Sequence, residues 1–526
     1  MNLRLVARLL GRFVMFFALS GLPAYLLSLT ERSGSTIDGG RGLLAMAVAG
    51  LVLGSALILV GRRTETELYR RESLLVVALA WVAAGWLGSL PFSWSGAIPD
   101  AVDAFFECVS GLATCGATVL GAKDHVAIHE LPDSLLLWRS FTQWMGGLGI
   151  ILMFVVLFPA LGISPWTLME SEAVGVSDPR VRPRMVQRGR VLLRTYLVLT
   201  LAEVLLLWGP GGLSLFKSIC HAMTTMATGG FSTEDYSIAG FASVTVEIIC
   251  IVFMLVAASN FLLIRDAMFG GDGGRKAIWK DPEFRLYLTL FAGSVLFSTV
   301  VLRLWGGTVP DPVSGGVRDY SAVGTCLRDS AFNFASFMSC TGYGTANVQC
   351  WPQPIVLLAI ALMFVGGCTG STAGGIKMFR LLILWRVCLH KLRSFVRPRS
   401  VEHIKINGDV LDPREVAGVC AVALIFASAV LLGTLLLTLD PRLDAQSALS
   451  ACVTAASGVG PGFTAVIRHG NDFVLANAGN LDVGPFGSFG ELTSFSKLVM
   501  SLLMILGRLE FLALLCVLTP GFWRRR

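Results

Sequence analysis

Ten apolar windows, each near the roughly 20 residues that a helix needs to cross a bilayer, recur at 8–28, 42–61, 73–92, 135–160, 191–209, 243–264, 284–305, 354–386, 415–438 and 497–518. Hydrocarbon offers backbone N–H and C=O groups no partner, so a chain that enters it this often must cross as helices. We read an all-α integral membrane protein, and the mean hydropathy of +0.70 agrees with that reading. The longest polar stretches, around Arg386 to Arg414 and Val466 to Ser494, are each only about 30 residues, too short for a self-sufficient soluble core. A nucleotide-sensing module would therefore sit on another chain. The apolar run Phe13 to Leu27 follows Arg4, Arg8 and Arg12 without a small-residue cleavage site, so it reads as the first span and not as a signal peptide.

The net charge of +7 is spread over short loops, which points to membrane topology and not to nucleic acid. Basic residues gather at Arg62 to Arg71, Arg180 to Arg190, Arg265 to Lys280, Arg386 to Arg399 and Arg524 to Arg526. The intervening loops are acidic, with Asp100, Asp103, Asp124 and Asp133 among them. Ten spans with both termini in the cytoplasm satisfy every loop, provided that four shorter segments near 102–116, 215–229, 328–342 and 446–460 return to the side they entered from. The twelve cysteines lack ligand spacing and mostly read as small packing residues, while Cys326 and Cys350 fall in outer loops where a disulfide is open.

Those four segments repeat. Thr114-Cys115-Gly116-Ala117, Ala227-Thr228-Gly229-Gly230, Cys340-Thr341-Gly342-Tyr343 and Gly458-Val459-Gly460-Pro461 align with glycines 113, 113 and 118 residues apart. The chain divides into a two-span preface (1–71) and four units of span, half-helix, glycine turn and span (72–189, 190–280, 281–400 and 401–526). Four such turns about one axis can present rings of backbone carbonyls that replace the water shell of a monovalent cation. Glycine lets those carbonyls turn inward. The expected cation ligands are Thr114, Cys115 and Gly116; Ala227, Thr228 and Gly229; Cys340, Thr341 and Gly342; and Gly458, Val459 and Gly460.

Between Val365 and Leu381 an apolar span is interrupted by a glycine-rich stretch containing Gly370, Ser371, Thr372, Gly374, Gly375 and Lys377. Irregular backbone at that depth must be buried in protein or line a wet cavity. It is not a phosphate-binding loop, because Ile376 and not Lys follows the last glycine. Lying just after the third glycine turn, it reads as a gate. Arg508, in the middle of the last span, must also face protein or water; it is either a positive charge at the pore or half of a buried ion pair. Arg139, Glu203, Glu247 and Arg303 lie nearer span ends, where snorkelling or interfacial pairing is expected.

With Met145-Gly146-Gly147-Leu148-Gly149, Thr228-Gly229-Gly230-Phe231-Ser232, Gly460-Pro461-Gly462, Gly370 to Lys377 and Gly507-Arg508-Leu509-Glu510, the chain resembles the Trk/Ktr/HKT superfamily of potassium transporters over nearly its whole length. The two extra N-terminal spans resemble the membrane subunit of the bacterial Trk system more than the eight-span Ktr type. The resemblance implies a homodimer in the bacterial inner membrane with one pseudo-fourfold pore per protomer. It also implies K+ uptake without a cofactor, an intramembrane gating loop, and control by a cytoplasmic nucleotide-binding subunit. Cys115 stands where a threonine is common, and Ser457-Gly458 replaces paired asparagines. The alternatives are K+ symport with Na+ or H+ and, more distantly, an intramembrane enzyme, for which no nucleophile and base or metal cluster is evident.

Overall fold

A computed structural model describes residues 1–31, 37–62, 70–122, 125–152, 181–311, 313–397, 405–406, 409–469, 472–477 and 481–523. The basic stretches at 63–69, 398–404 and 524–526, and much of the one around 180, lie outside these residues. Six segments are helical, long and apolar enough to cross a bilayer: Leu3–Ser28 (with a turn at Ser20 and Gly21), Gly39–Val60, Arg71–Trp94, Gly189–Trp208, Pro282–Trp305 and Pro413–Leu437. The first two pack by close backbone approach at small residues, for a Cβ on Gly11 would lie 2.6 Å from the Gly54 carbonyl oxygen.

The remaining four windows are the second spans of the repeats, and three of them are broken. Val244–Ala257 and Phe261–Phe269 meet at a 110° bend. There Ala258 caps the end of one helix and Asn260 starts the next, its side chain accepting from the Leu262 and Leu263 amides. Gln353–Val365 stops at Gly366, and helix resumes only at Met378–Val396. Ser494–Arg508 gives way to Leu512–Leu518 through Glu510 and Phe511, both at positive φ. The window at 135–160 is helical over Asp133–Leu152 and then leaves the described residues.

The four short segments are helices: Ala101–Leu112, Leu215–Met226, Val323–Met338 and Ala445–Ser457. Asp100, Ser214 and Asp444 cap the first, second and fourth, each side chain accepting an amide of the opening turn. All four are buried over most of their length, inside a wall formed by the longer helices. Among the described residues three two-stranded antiparallel hairpins decorate the loops; the longest pairs Val466–His469 with Asp472–Leu475. Cys326 and Cys350 are both buried free thiols.

Candidate functional site

Each short helix ends in the same backbone figure. The third residue beyond the helix end in the first three repeats, and the second in the fourth, donates its amide to a carbonyl five residues back: Cys115 to Ser110, Gly229 to Thr224, Thr341 to Ser336 and Val459 to Thr454. The residue before it has positive φ (Thr114, Thr228, Cys340 and Gly458), and so does the residue after it (Gly116, Gly230, Gly342 and Gly460). The equivalent triplets are thus 114–116, 228–230, 340–342 and 458–460. This corrects the second repeat by one residue. Ala227 is the right-handed C-cap of its helix, Gly229 is the middle residue, and Gly230 occupies the left-handed position.

The four glycines close a ring. A Cβ on Gly116 would lie 2.1 Å from the Gly229 carbonyl oxygen, one on Gly230 1.9 Å from that of Thr341, one on Gly342 1.8 Å from that of Val459, and one on Gly460 2.8 Å from that of Cys115. Each repeat therefore seats its glycine against the next repeat's carbonyl, in the order 1, 2, 3, 4 and back to 1. Only glycine supplies both the positive φ and the missing Cβ.

Side chains lock the ring from behind. Gln143 donates to the Gly229 carbonyl at 2.7 Å and accepts from the Phe231 amide at 3.1 Å. Arg139 pairs with Glu107 at 2.8 Å, donates to the Ser232 carbonyl at 3.1 Å and stacks on Phe231 at 3.9 Å. Gln349 accepts from the Thr464 amide at 3.1 Å and donates to Asp482 at 3.0 Å. Lys497 of the fourth repeat pairs with Asp103 of the first, and the Cys115 thiol donates to the Thr454 carbonyl, so the last joint is held as well. Arg139 is 1 % exposed, so of the two expected accounts it pairs, with Glu107, and does not snorkel. Glu203 is likewise fully buried, without an ion-pair partner among the described residues, whereas Glu247 does pair with Arg328 and Arg303 is exposed.

On one side of the ring a cavity of about 340 Å³ is lined by Gly116, Gly230, Gly342 and Gly460, with Asp235 and Phe486 farther out. On the other side lies the segment Gly366 to Lys377, with positive φ at Gly366, Gly370, Gly375 and Lys377. It touches the carboxyl ends of the second and fourth short helices, which are opposite one another in the ring. Thr372 Oγ1 donates to the Met226 carbonyl at 3.0 Å, and a Cβ on Gly374 would lie 1.9 Å from the Ser457 carbonyl oxygen. A segment from the third repeat that reaches both opposite members lies across the space below the ring. Ser371 and Thr372 are buried there, as is Lys377.

Arg508 fastens this arrangement without a carboxylate. Its Nη1 donates to the Thr372 carbonyl at 2.8 Å and its Nη2 to the Gly146 carbonyl at 3.0 Å. Gly146 in turn abuts the end of the first short helix, where an added Cβ would lie 2.0 Å from the Leu112 carbonyl oxygen. Glu510 pairs instead with Arg380, beyond the glycine-rich segment.

The family described as "Cation transport protein", TrkH, matches residues 43–520. The chain belongs to this TrkH family. The Trk system potassium uptake protein TrkH of Vibrio parahaemolyticus is 34% identical to it over 530 residues, with both chains fully covered. That of Escherichia coli strain K12 is 32% identical, again over the whole of both chains. The crystal structure of the potassium transporter TrkH from Vibrio parahaemolyticus superposes with a TM-score of 0.83 at 32% identity, covering all of both chains. Membership in TrkH places this chain among cation transporters and not among enzymes.

Proposed function

We propose that this chain is the membrane subunit of a potassium-uptake system, passing K+ through the carbonyl ring at 114–116, 228–230, 340–342 and 458–460. The observation that carries the proposal is the cyclic seating of Gly116, Gly230, Gly342 and Gly460 against the next repeat's carbonyls. Four short helices aim their partially negative carboxyl ends toward the ring, which attracts a cation without a fixed charge. Backbone oxygens then stand in for its hydration shell. The segment Gly366 to Lys377 is the gate, and Arg508 holds it closed across the path. The basic loops put both termini in the cytoplasm of a bacterial inner membrane. The vestibule then faces outward and the gate inward, within reach of a cytoplasmic nucleotide-binding regulatory subunit. The full-length likeness to the Trk relatives supports that partner and a homodimer.

The test is Rb+ uptake in cells lacking their own potassium transport, with the regulatory partner and an energy source supplied. Uptake restored by this chain is the expected result; none, with the chain folded in the membrane, overturns the proposal. Deleting Thr372 to Gly374 should raise flux through purified protein in liposomes, and unaltered flux would remove the gate assignment. Currents that reverse at the K+ equilibrium potential regardless of Na+ and pH select the uncoupled form over symport with Na+ or H+.

A further inference from the structure

The glycine-rich segment is held by a residue outside it that the gate assignment does not use. Glu283 is the second residue of the helix Pro282–Trp305 and is only 4 % exposed. Its Oε1 accepts from the Thr369 amide at 2.6 Å and from the Phe379 amide at 3.0 Å. Thr369 lies in the first part of the segment, and Phe379 is the second residue of the helix that resumes after it. One carboxylate oxygen therefore ties together the two feet of the loop.

The need for an outside tie follows from the local chemistry. The resumed helix Met378–Val396 begins at Lys377, which offers no side-chain cap and sits at φ 80°, a region unfavourable to any residue but glycine. The first amides of a helix need acceptors, and a carboxylate is the best of them. Glu283 supplies one from another span. The same stretch of chain grips the loop at a second point, where the Phe261 amide donates to the Gly370 carbonyl at 3.3 Å. Between these grips runs the largely exposed helix Gly271–Lys280.

We infer that Glu283 is the latch of the gate, a positioning residue whose hydrogen bonds to Thr369 and Phe379 hold the loop across the path. Opening the gate breaks these bonds. The inference rests on the gate reading of Gly366 to Lys377, and its test separates the two.

Flux of K+ through the purified full chain in liposomes, with no partner present, is compared for Glu283→Ala, Glu283→Asp and Glu283→Gln. Alanine removes the acceptor, and aspartate keeps the charge but withdraws the oxygen by one methylene; both should raise flux by about tenfold, a shift of about 1.4 kcal/mol in the closed-to-open balance. Glutamine keeps an oxygen in place without the charge, and its flux should stay within about twofold of the parent, roughly 0.4 kcal/mol on the same scale. A second readout is alkylation of Cys368, buried within the loop, by N-ethylmaleimide and followed by peptide mass. It should quicken for alanine and aspartate and not for glutamine. Parent-like flux and alkylation in all three, while deletion of Thr372 to Gly374 raises flux, would remove the latch and leave the gate. A glutamine variant that behaves like alanine would also overturn it, because charge and not the hydrogen bonds would then be at work. If the deletion too leaves flux unaltered, the gate reading itself has failed.

Discussion

Arg508 is bonded to Thr372 across 136 residues of sequence, guanidinium Nη1 to carbonyl oxygen at 2.8 Å, with no acid between them. A buried cation held by backbone carbonyls can let go of one without leaving a carboxylate stranded. Arg508→Leu should therefore raise partner-independent K+ flux severalfold while lowering thermal stability, because the Thr372 and Gly146 carbonyls lose their donors at about 1–3 kcal/mol each. Arg508→Lys, a point charge on a flexible stem, cannot serve both carbonyls and should fall between. Flux measured in liposomes beside the melting temperature checks both parts; a leucine variant with lower stability and unchanged flux would make Arg508 merely structural.

The ring predicts which glycine of the second repeat matters for ion choice. Gly230→Ser and Gly116→Ser should each lower the K+/Na+ permeability ratio by about tenfold, or ~1.4 kcal/mol. A Cβ at 230 meets the Thr341 carbonyl oxygen at 1.9 Å, whereas the atoms nearest to one at 229 belong to the Gln143 side chain and not to a neighbouring turn. Reversal potentials in mixed K+ and Na+ should show Gly229→Ser with the smaller effect.

Arg139 and Glu107 form a pair sealed behind the first and second turns. Removing one partner strands the other, so Arg139→Met or Glu107→Gln should cost about 3–5 kcal/mol of stability. The double variant should cost much less than the two added together. Denaturation in detergent, run as a double-mutant cycle, measures the difference.

At the vestibule mouth, His129 is paired with Asp235 in an exposed loop. The hydrogen bond that His129 donates to Asp235, then the charge of that carboxylate, raises the His129 pKa above the ordinary 6.5, with smaller help from Glu130 and Glu234. The sign is that of a cation gaining a partner: the stabilisation is complete below about pH 6.5 and disappears as pH rises through the raised value. An NMR titration should place His129 above 6.5, and Asp235→Asn should return it toward the ordinary value. Added salt should shrink the shift.

Much of this architecture was legible because membranes tolerate few backbone solutions. The apolar windows fall on the long helices, and the four turns fall on the carboxyl ends of short helices. What eluded reading had local causes. Gly229 and Gly230 stand side by side, and composition does not say which takes the left-handed position; the Thr-x-Gly pattern shared by Thr114 to Gly116 and Thr228 to Gly230 was the available signal. The break after Arg508 carries no glycine or proline, only Glu510 and Phe511 at positive φ. Arg139 looked like an interfacial residue because its partners, Glu107 and Ser232, lie 32 and 93 residues away along the chain. The tie from Glu283 to Thr369 spans 86 residues and has no signature in sequence.

The ring is built from one polypeptide and not from four identical subunits, and this bears on the segment below it. A structure that crosses a rotation axis cannot exist in four symmetric copies without colliding with itself. Fusing four unlike repeats into one chain removes that prohibition. Among the described residues, the third repeat alone carries a segment that reaches both opposite short helices, and the fourth supplies the arginine bonded to it. On the gate reading proposed above, a single event at one repeat is enough to clear the whole path, where a symmetric assembly would need four in concert.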